Sequence, residues 1–446
     1  MSKRRVEMFS GRDLIRLLGP LIIEQILNVL VGMVDVVMVA AVGEAAVSGV
    51  ALVDSISILV IQMMAALATG GAVVCSQYIG KQRAKDACTA AGQLVLITMV
   101  SSLCITGIAL IGNRNLLKLI FGQAEQAVMD NAATYFWLTA LSYPFLALYN
   151  SGAALFRSMG NSKVSMMASL AMNGINIVGN AICIFGLHMG VAGVAIPTLI
   201  SRMFAALLMV YLISRPGNTI RVSKPGQLIP KSDMIKKILT VGVPSGLENG
   251  MFQFGKIALQ SLVSTLGTAS IASFAVASNL VTLHYLPGNA LGLGLITIVG
   301  QCVGAGESEQ AKQYTKKLIL LNYGLLILIC GSMALGSHQI VGIYNLSPEA
   351  SELARRMILA HGCAMAIWPL AFTLPNALRA GLDARFTMTV SVFSMWVFRI
   401  GFAYLFVKVW NIGVMGIWFA MFIDWVFRVF MFVWRFRGFT ARARQV

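Results

Sequence analysis

Several oxygen-bearing side chains stand in stretches of this sequence that are otherwise apolar, and their types and spacing are where chemistry could be done. Asp35 lies well inside the run Leu14 to Val42, with no basic residue near it in sequence. A carboxylate at mid-membrane depth costs roughly 2.5–3.5 kcal/mol to insert, so it needs a reason to be there. It is either a cation- or proton-binding group whose charge state biases its helix, or a structural carboxylate satisfied by hydroxyl and amide donors. The run MNGINIVGNAICIF adds Asn173, Asn176 and Asn180, and the last two, one turn apart, share a helical face. Amides at such depth are costly unless they meet a cavity or a partner. The carbonyl oxygens of Asn176 and Asn180, the Asp35 carboxylate and the Thr198 hydroxyl make an oxygen-rich set suited to Na+ or to a proton relay.

Other charges in apolar runs carry less specific signals. Glu24 and Glu248 follow Pro20 and Pro244 by one turn. Each either faces a cavity, where it attracts a cationic compound, or satisfies backbone groups that the proline frees. Lys256 and Arg399 are positive charges in apolar runs of the second half; with Asn150 they are candidates for the same cavity, or they pair with Glu248. Asp54 stands near the start of its run, where an interfacial place suffices. Asp424 and Arg428, one turn apart, predict a neutralised ion pair. His284 and His361 read as satisfied interior residues. No HExxH, Cys/His cluster or GxxxxGK[ST] occurs, so neither metal-assisted hydrolysis nor ATP-driven work is expected, and no metal is implied beyond a coupling cation. The seven cysteines are scattered singly along apolar runs, unlike a disulfide framework.

The elements that must position these groups are membrane-spanning helices. Of 446 residues, 58% are hydrophobic and only 11% charged, with a mean hydropathy of +0.79, too apolar for a soluble domain of this length. The expected class is an all-α polytopic membrane protein. Twelve apolar runs lie at 14–42, 46–79, 87–112, 127–156, 164–186, 190–213, 236–264, 269–303, 314–337, 350–378, 386–409 and 413–435. The net charge of +17 is not gathered into one basic domain, so nucleic acid is not an expected partner. Most basic residues fall in alternate loops and at the two ends, where Lys3, Arg4, Arg5, Arg12 and Arg16 precede the first run and Arg435, Arg437, Arg442 and Arg444 close the last. By the positive-inside rule both termini are cytoplasmic, as an even helix count requires. No cleavable signal peptide is expected, because MSKRR leads into a run longer than a signal core.

The runs form two related sets. Pro20 and Glu24 fall on Pro244 and Glu248, and SQYIG at 76–80 on GQCVG at 300–304, both at an offset of 224. RSMGNSKVSM at 157–166 matches RAGLDARFTM at 379–388 at 222, and GVAG at 190–193 matches GVMG at 413–416 at 223. A nearly constant offset in separate places marks a duplication. The basic, Pro- and Gly-containing stretch RPGNTIRVSKPGQLIPKSD separates the copies. The expected organisation is a six-helix bundle over 1–214, a cytoplasmic linker over 215–235 and a six-helix bundle over 236–446, pseudo-symmetric about the membrane normal. Chains built this way commonly place a site between halves that rock against one another.

With these features the chain resembles the multidrug and toxic compound extrusion (MATE) family over essentially its whole length. The resemblance rests on the two related halves, the Pro20 to Asp35 arrangement, LFRSMGNSK with its partner LRAGLDARF, the Asn176/Asn180 pair with Thr198, and the ending GIWFAMFIDWVFR. It implies a secondary active antiporter of the plasma (inner) membrane, exporting amphipathic, often cationic drugs or metabolites against an inward Na+ or H+ gradient by alternating access. No cofactor is implied; the partners are small-molecule substrates and membrane lipids, and the chain is expected to act as a monomer. In the family, Asp35, Asn176, Asn180 and Thr198 fall where the N-lobe cation site lies. Two features depart from the pattern. Asn180 stands where some members carry Asp, leaving Asp35 as the titrating member of that set. The tenth run lacks an acid found in some bacterial members, leaving Glu248 as the strongest carboxylate of the second half. The alternative reading is a flippase for lipids or lipid-linked oligosaccharides of the related superfamily, which often has a strongly cationic cavity. In the first half only Arg202 lies within the helices, against several acids, which favours cationic or neutral cargo.

Overall fold

The computed structural model describes residues 7–122 and 125–443. Lys3, Arg4, Arg5 and Arg444 of the two basic ends lie outside these. Each of the twelve expected runs is helical. In the first half these are α1 (Gly11–Ala40), α2 (Glu44–Gly80), α3 (Ala84–Phe121), α4 (Gln126–Ser158), α5 (Ser162–Ala181) and α6 (Ala192–Ser214). The second half has α7 (Ser232–Val263), α8 (Thr268–Leu280), α9 (Thr282–Gly304), α10 (Ser308–Leu335), α11 (Ser337–Gly342), α12 (Pro348–Ala364), α13 (Leu374–Ala380), α14 (Ala384–Phe393), α15 (Phe402–Tyr404), α16 (Val414–Arg437) and α17 (Phe439–Ala443). Among the described residues nine helical stretches are long and apolar enough to cross a bilayer unaided. A tenth is broken, its arms Pro348–Ala364 and Pro369–Ala380 meeting at 67°. The remaining two, α4 and α7, have the length, 33 and 32 residues, but a more polar composition.

The contacts divide the chain into one unit of Phe9–Gly246 and another built on Leu247–Val446. The division falls inside α7, not in the 215–235 stretch, and the physical reason is close packing within the first unit. A Cβ placed on Gly70 of α2 would come within 2.5 Å of the Ile238 carbonyl oxygen and 2.8 Å of the Gly242 nitrogen. Only glycine lets the two backbones approach so closely. Tyr78 fixes the same contact, its hydroxyl 2.9 Å from Lys237 Nζ. The connecting stretch is fastened as well. Gln93 Nε2 donates to the carbonyls of Gln227 and Ile229, each at 2.8 Å, and its Oε1 accepts from the Lys231 amide at 2.8 Å. One buried glutamine thus satisfies three backbone groups of the linker.

In the first unit α4 is the central helix, with Phe136, Tyr143 and Leu155 fully buried. In the second unit the core is aromatic, with Trp368, Trp418, Trp425 and Phe432 all buried. Gly288 of α9 leaves the space that the Trp368 ring occupies. The repeat is visible in helix irregularities too. A π-helical turn at Ile182–Gly186 recurs at Leu405–Val409, at an offset of 223. A further π segment, Ser394–Gly401, has no counterpart in the first half. The offset is 222 before this segment and 223 after it, so the wider π turn absorbs the one extra residue of the second copy.

Gly70→Ala is expected to lower unfolding stability by about 1–3 kcal/mol, because its methyl meets backbone that cannot swing aside. Gly107→Ala, where a Cβ meets nothing within 4 Å, should change it by no more than about 0.5 kcal/mol. Thermal unfolding of the two purified variants in one detergent checks the contrast.

Candidate functional site

A polar seam joins α1 to α5 in the first unit. On α5 it runs through Ser162, Ser165, Ser169, Asn173, Asn176 and Asn180, spaced three or four residues apart and so on one face. Ser162 Oγ donates to the carbonyls of Arg16 and Leu17. Pro20 has no N–H to give the Arg16 carbonyl, so a hydroxyl from α5 replaces the missing donor. Ser165 Oγ donates to Glu24 Oε2 at 3.0 Å. Ser169 Oγ and Asn173 Nδ2 both donate to Asn28 Oδ1, at 3.1 and 3.2 Å. Asn180 Nδ2 donates to Asp35 Oδ1 at 3.1 Å and lies 3.3 Å from Asn176 Oδ1, while Asn176 Nδ2 donates to Thr198 Oγ1 at 3.0 Å.

The four residues singled out from the sequence therefore form one hydrogen-bonded chain, Asp35–Asn180–Asn176–Thr198. Asn180 Oδ1 is buried and has no hydrogen-bond partner among the described residues. A buried amide oxygen without a donor, beside a half-buried carboxylate, fits a small cation better than it fits a finished hydrogen-bond network. Asp54 and Arg202 act electrostatically on Asp35. Asp54 Oδ1 accepts from the Tyr135 hydroxyl at 3.4 Å, and Arg202 Nη1 donates to Ser142 Oγ at 2.7 Å. The sequence had left Asp54 at the interface and had given Tyr135 and Ser142 no part. The signal available in sequence was the hydroxyl and amide stripe of α5, with Asn28 as its α1 acceptor.

The other candidates are placed differently. Glu24 lies 3.9 Å from Arg157 Nη1, and Glu248 2.8 Å from Arg379 Nη2. Both carboxylates are buried, so in each unit the acid after the proline meets the arginine at the end of the fourth repeat helix. Neither acid bonds Lys256 or Arg399, and the backbone group freed by Pro20 is met by Ser162 instead. Arg399 belongs to Asp424, which is fully buried: Arg399 Nε and Nη2 lie 2.8 and 2.7 Å from Oδ2, and Arg428 Nε 2.8 Å from Oδ1. Ser394 Oγ also donates to this carboxylate. Asn150 is half-buried on α4 and makes no hydrogen bond to the Asp35 chain. His284 Nδ1 and His361 Nδ1 are 2.9 Å apart, and His361 Nε2 is 2.8 Å from the Tyr285 hydroxyl; His361 is satisfied as expected, whereas His284 Nε2 is buried without a partner among the described residues.

The second unit also holds a cavity of about 460 Å³, large enough for a drug-sized molecule. Lys256, Arg399, Tyr285, Trp368, Trp418 and Trp425 are among its walls. Asn180 Oδ1 in the seam, and the indole Nε1 atoms of Trp418 and Trp425 in the wall of this cavity, are buried polar atoms without a partner among the described residues.

Twelve helical runs in two copies of one six-helix design define the class of a polytopic membrane protein of the transporter kind. The chain belongs to the MatE family, the multidrug and toxic compound extrusion transporters: the family model matches residues 20–182 and again 244–405, once in each half. It is 24% identical to the "Probable multidrug resistance protein NorM" of Thermotoga maritima, over 94% of this chain and 90% of that one. To the multidrug export protein MepA of Staphylococcus haemolyticus it is 22% identical, over 81% and 79% of the two chains. A solved multidrug resistance MATE family transporter of the MOP superfamily, in its outward-facing conformation, superposes with a TM-score of 0.91 at 20% identity, over 97% of this chain and 96% of that one.

The repeated acid–arginine pair gives a double-mutant test. Glu248→Gln or Arg379→Gln alone should cost about 3 kcal/mol by leaving one buried charge unpaired, and the double variant clearly less than their sum. Chemical unfolding of the three variants in detergent reads the coupling.

Proposed function

We propose that this chain is a secondary active antiporter that exports amphipathic drugs or metabolites from the cell in exchange for Na+ or H+. The observation that carries the coupling half of the reading is the Asp35–Asn180–Asn176–Thr198 chain with its unpartnered buried oxygen at Asn180. A cation or a proton at Asp35 alters the acceptor that Asn180 meets, and so alters the hold of α5 on α1. The cargo half rests on the relatives whose names give multidrug export or resistance, together with the largely aromatic wall of the second-unit cavity, a surface that accepts varied flat apolar compounds. Alternating access of the two lobes is the form of motion that the duplication favours. The loop charges support a place in the plasma membrane with both termini cytoplasmic.

The test is efflux of amphipathic dyes, one cationic and one anionic, from vesicles holding the purified chain under imposed Na+ or H+ gradients. At least one dye should move with one gradient and not without it, and that gradient names the ion. Asp35→Asn, which keeps the shape and removes the charge, should lower gradient-driven efflux by about tenfold or more, the range of a 1–3 kcal/mol coupling. Efflux that is insensitive to both gradients, or unchanged in Asp35→Asn, would remove Asp35 as the coupling group.

A further inference from the structure

We infer that the cavity of the second lobe binds the acidic group of an apolar or aromatic organic anion. This rests on the exporter reading and adds the charge of the cargo, which is opposite to what the acids of the first half favour.

The duplication supplies the first argument. Asp35 and Asp54, carried forward by the 224-residue offset of their helices, fall on Leu259 and Ser278. Thr198 and Arg202, carried by the 223-residue offset that holds beyond the π segment, fall on Met421 and Trp425, and the same offset places Asn176 on Arg399 within that segment. All five of these residues line the cavity. Asn180 falls on Ala403, which is not a wall residue, so the cavity repeats the Asp35, Asp54, Asn176, Thr198 and Arg202 positions of the first-lobe site. In it both carboxylates have been replaced by uncharged side chains and an amide by a guanidinium. Gly32 has become Lys256, another wall residue.

Charge supplies the second. Arg399 and Arg428 share the single carboxylate of Asp424, and Lys256 has no hydrogen-bond or ion-pair partner among the described residues. Three cations surround one ring: Lys256 Nζ and the guanidinium carbons of Arg399 and Arg428 lie 5.4, 5.0 and 5.6 Å from the centre of Phe252. One acid against three bases leaves the site positive, and an anion is the ligand that relieves it.

Unmet donors supply the third. The indole Nε1 atoms of Trp418 and Trp425 are buried and have no acceptor among the described residues, and both residues line the cavity. An indole N–H can only donate, as can an ammonium, so the wall is short of acceptors. A carboxylate, sulfonate or phosphate oxygen supplies them. The rest of the wall sets the body of the ligand: Tyr285, Trp368 and Phe372 form a stack, with ring centres 5.4 and 5.2 Å apart in succession, a surface for flat apolar groups.

The acidic group could be borne by a free organic anion or by a lipid, and the test separates them. Equilibrium binding of labelled 2-naphthoate and of its cationic analogue, 2-naphthyltrimethylammonium, is measured on the full chain in phosphatidylcholine nanodiscs. Naphthoate should bind the tighter, and Lys256→Gln should cut its advantage about tenfold, as expected for losing one charged donor. Lys256→Arg should restore it. Ser278→Asp, which returns the carboxylate of Asp54, should turn the preference toward the ammonium compound. Melting curves establish that each variant is folded, and should Ser278→Asp not fold, Lys256→Gln decides. Equal binding of the two probes, preference for the ammonium compound, or an advantage unmoved by Lys256→Gln would overturn the anion site. Repeating the measurement with phosphatidylglycerol distinguishes the sources: unchanged naphthoate affinity assigns the cavity to free anions, and competition that Lys256→Gln abolishes assigns it to an acidic lipid. Binding is read without a gradient. Naphthoate preference in a protein that moves no dye would overturn the exporter reading alone, and gradient-driven efflux in a protein without that preference would overturn the anion site alone.

Discussion

A charge at hydrocarbon depth is tolerable when it is neutralised or reaches water, and this structure is arranged around that constraint. Most of the neutralisation is done inside each lobe. Glu24 meets Arg157 in the first copy and Glu248 meets Arg379 in the second, the same pair built twice. In the second copy the contact is direct; in the first it is looser, and Ser165 also donates to the acid. Asp424 holds two guanidinium groups at once. Once these pairs are set aside, the charges still to be explained are Asp35, Asp54 and Arg202 in one lobe and Lys256 in the other. Function falls to the charges that the scaffold has not already used.

The duplication then shows how one framework carries two chemistries. Along α1 the seam positions are Leu17, Glu24, Asn28 and Asp35, and α5 answers each with a hydroxyl or amide. At the same offset α7 carries Val241, Glu248, Phe252 and Leu259. The acid paired with arginine is kept, because removing it would strand the arginine. The amide and the second acid have given way to apolar side chains, and two of the three positions they face, Asn173 and Asn180, have become Met395 and Ala403. Helix register survives the change, with one exception: the π segment Ser394–Gly401 shifts the second copy by one residue and carries Arg399 within it. Such local widening, which disturbs the regular hydrogen-bond ladder, is frequent where a side chain must be re-aimed at a site.

Much of this was legible in the sequence, and the limits have a physical form. Hydropathy located all twelve helices, and the offsets located the repeat, because both are properties of a single strand of text. Periodicity put Asn176 with Asn180 and Asp424 with Arg428, since residues a turn apart share a face wherever the helix lies. It could not say which neighbouring helix that face meets. Hence Arg399 was left without its acid, and Glu248 was offered Lys256 or Arg399 as partner instead of Arg379. The repeat held a usable signal: Arg157 and Arg379 are equivalent, as are Glu24 and Glu248, so a partner for one acid implied the partner for the other. Gln93 and the fastening of the linker left no comparable trace, because one glutamine in an apolar helix reads the same whether or not it holds a distant backbone. The contact boundary inside α7 depends on Gly70 and Gly242, whose meaning is an interhelical distance.

The proposed coupling acts on the part of the first lobe least able to resist it. Between Glu24 and Val39, α1 has no buried residue. Below that stretch the helix is anchored by Leu14, Leu17, Leu18 and Leu21, by the Glu24–Arg157 pair and by the Ser162 hydroxyl that compensates for Pro20. Above Asn28, the hydrogen bond from Asn180 to Asp35 is the polar tie to α5. A helix with a firm lower half and a loosely packed upper half yields at the junction, and sparse apolar burial is the condition under which local rearrangement is cheap. A change of charge at Asp35 therefore falls where one hydrogen bond is a large share of what holds the helix. The same change beside Glu24 would be opposed by an arginine, two serine hydroxyls and a leucine cluster. Placement, more than chemical type, separates the two carboxylates of α1.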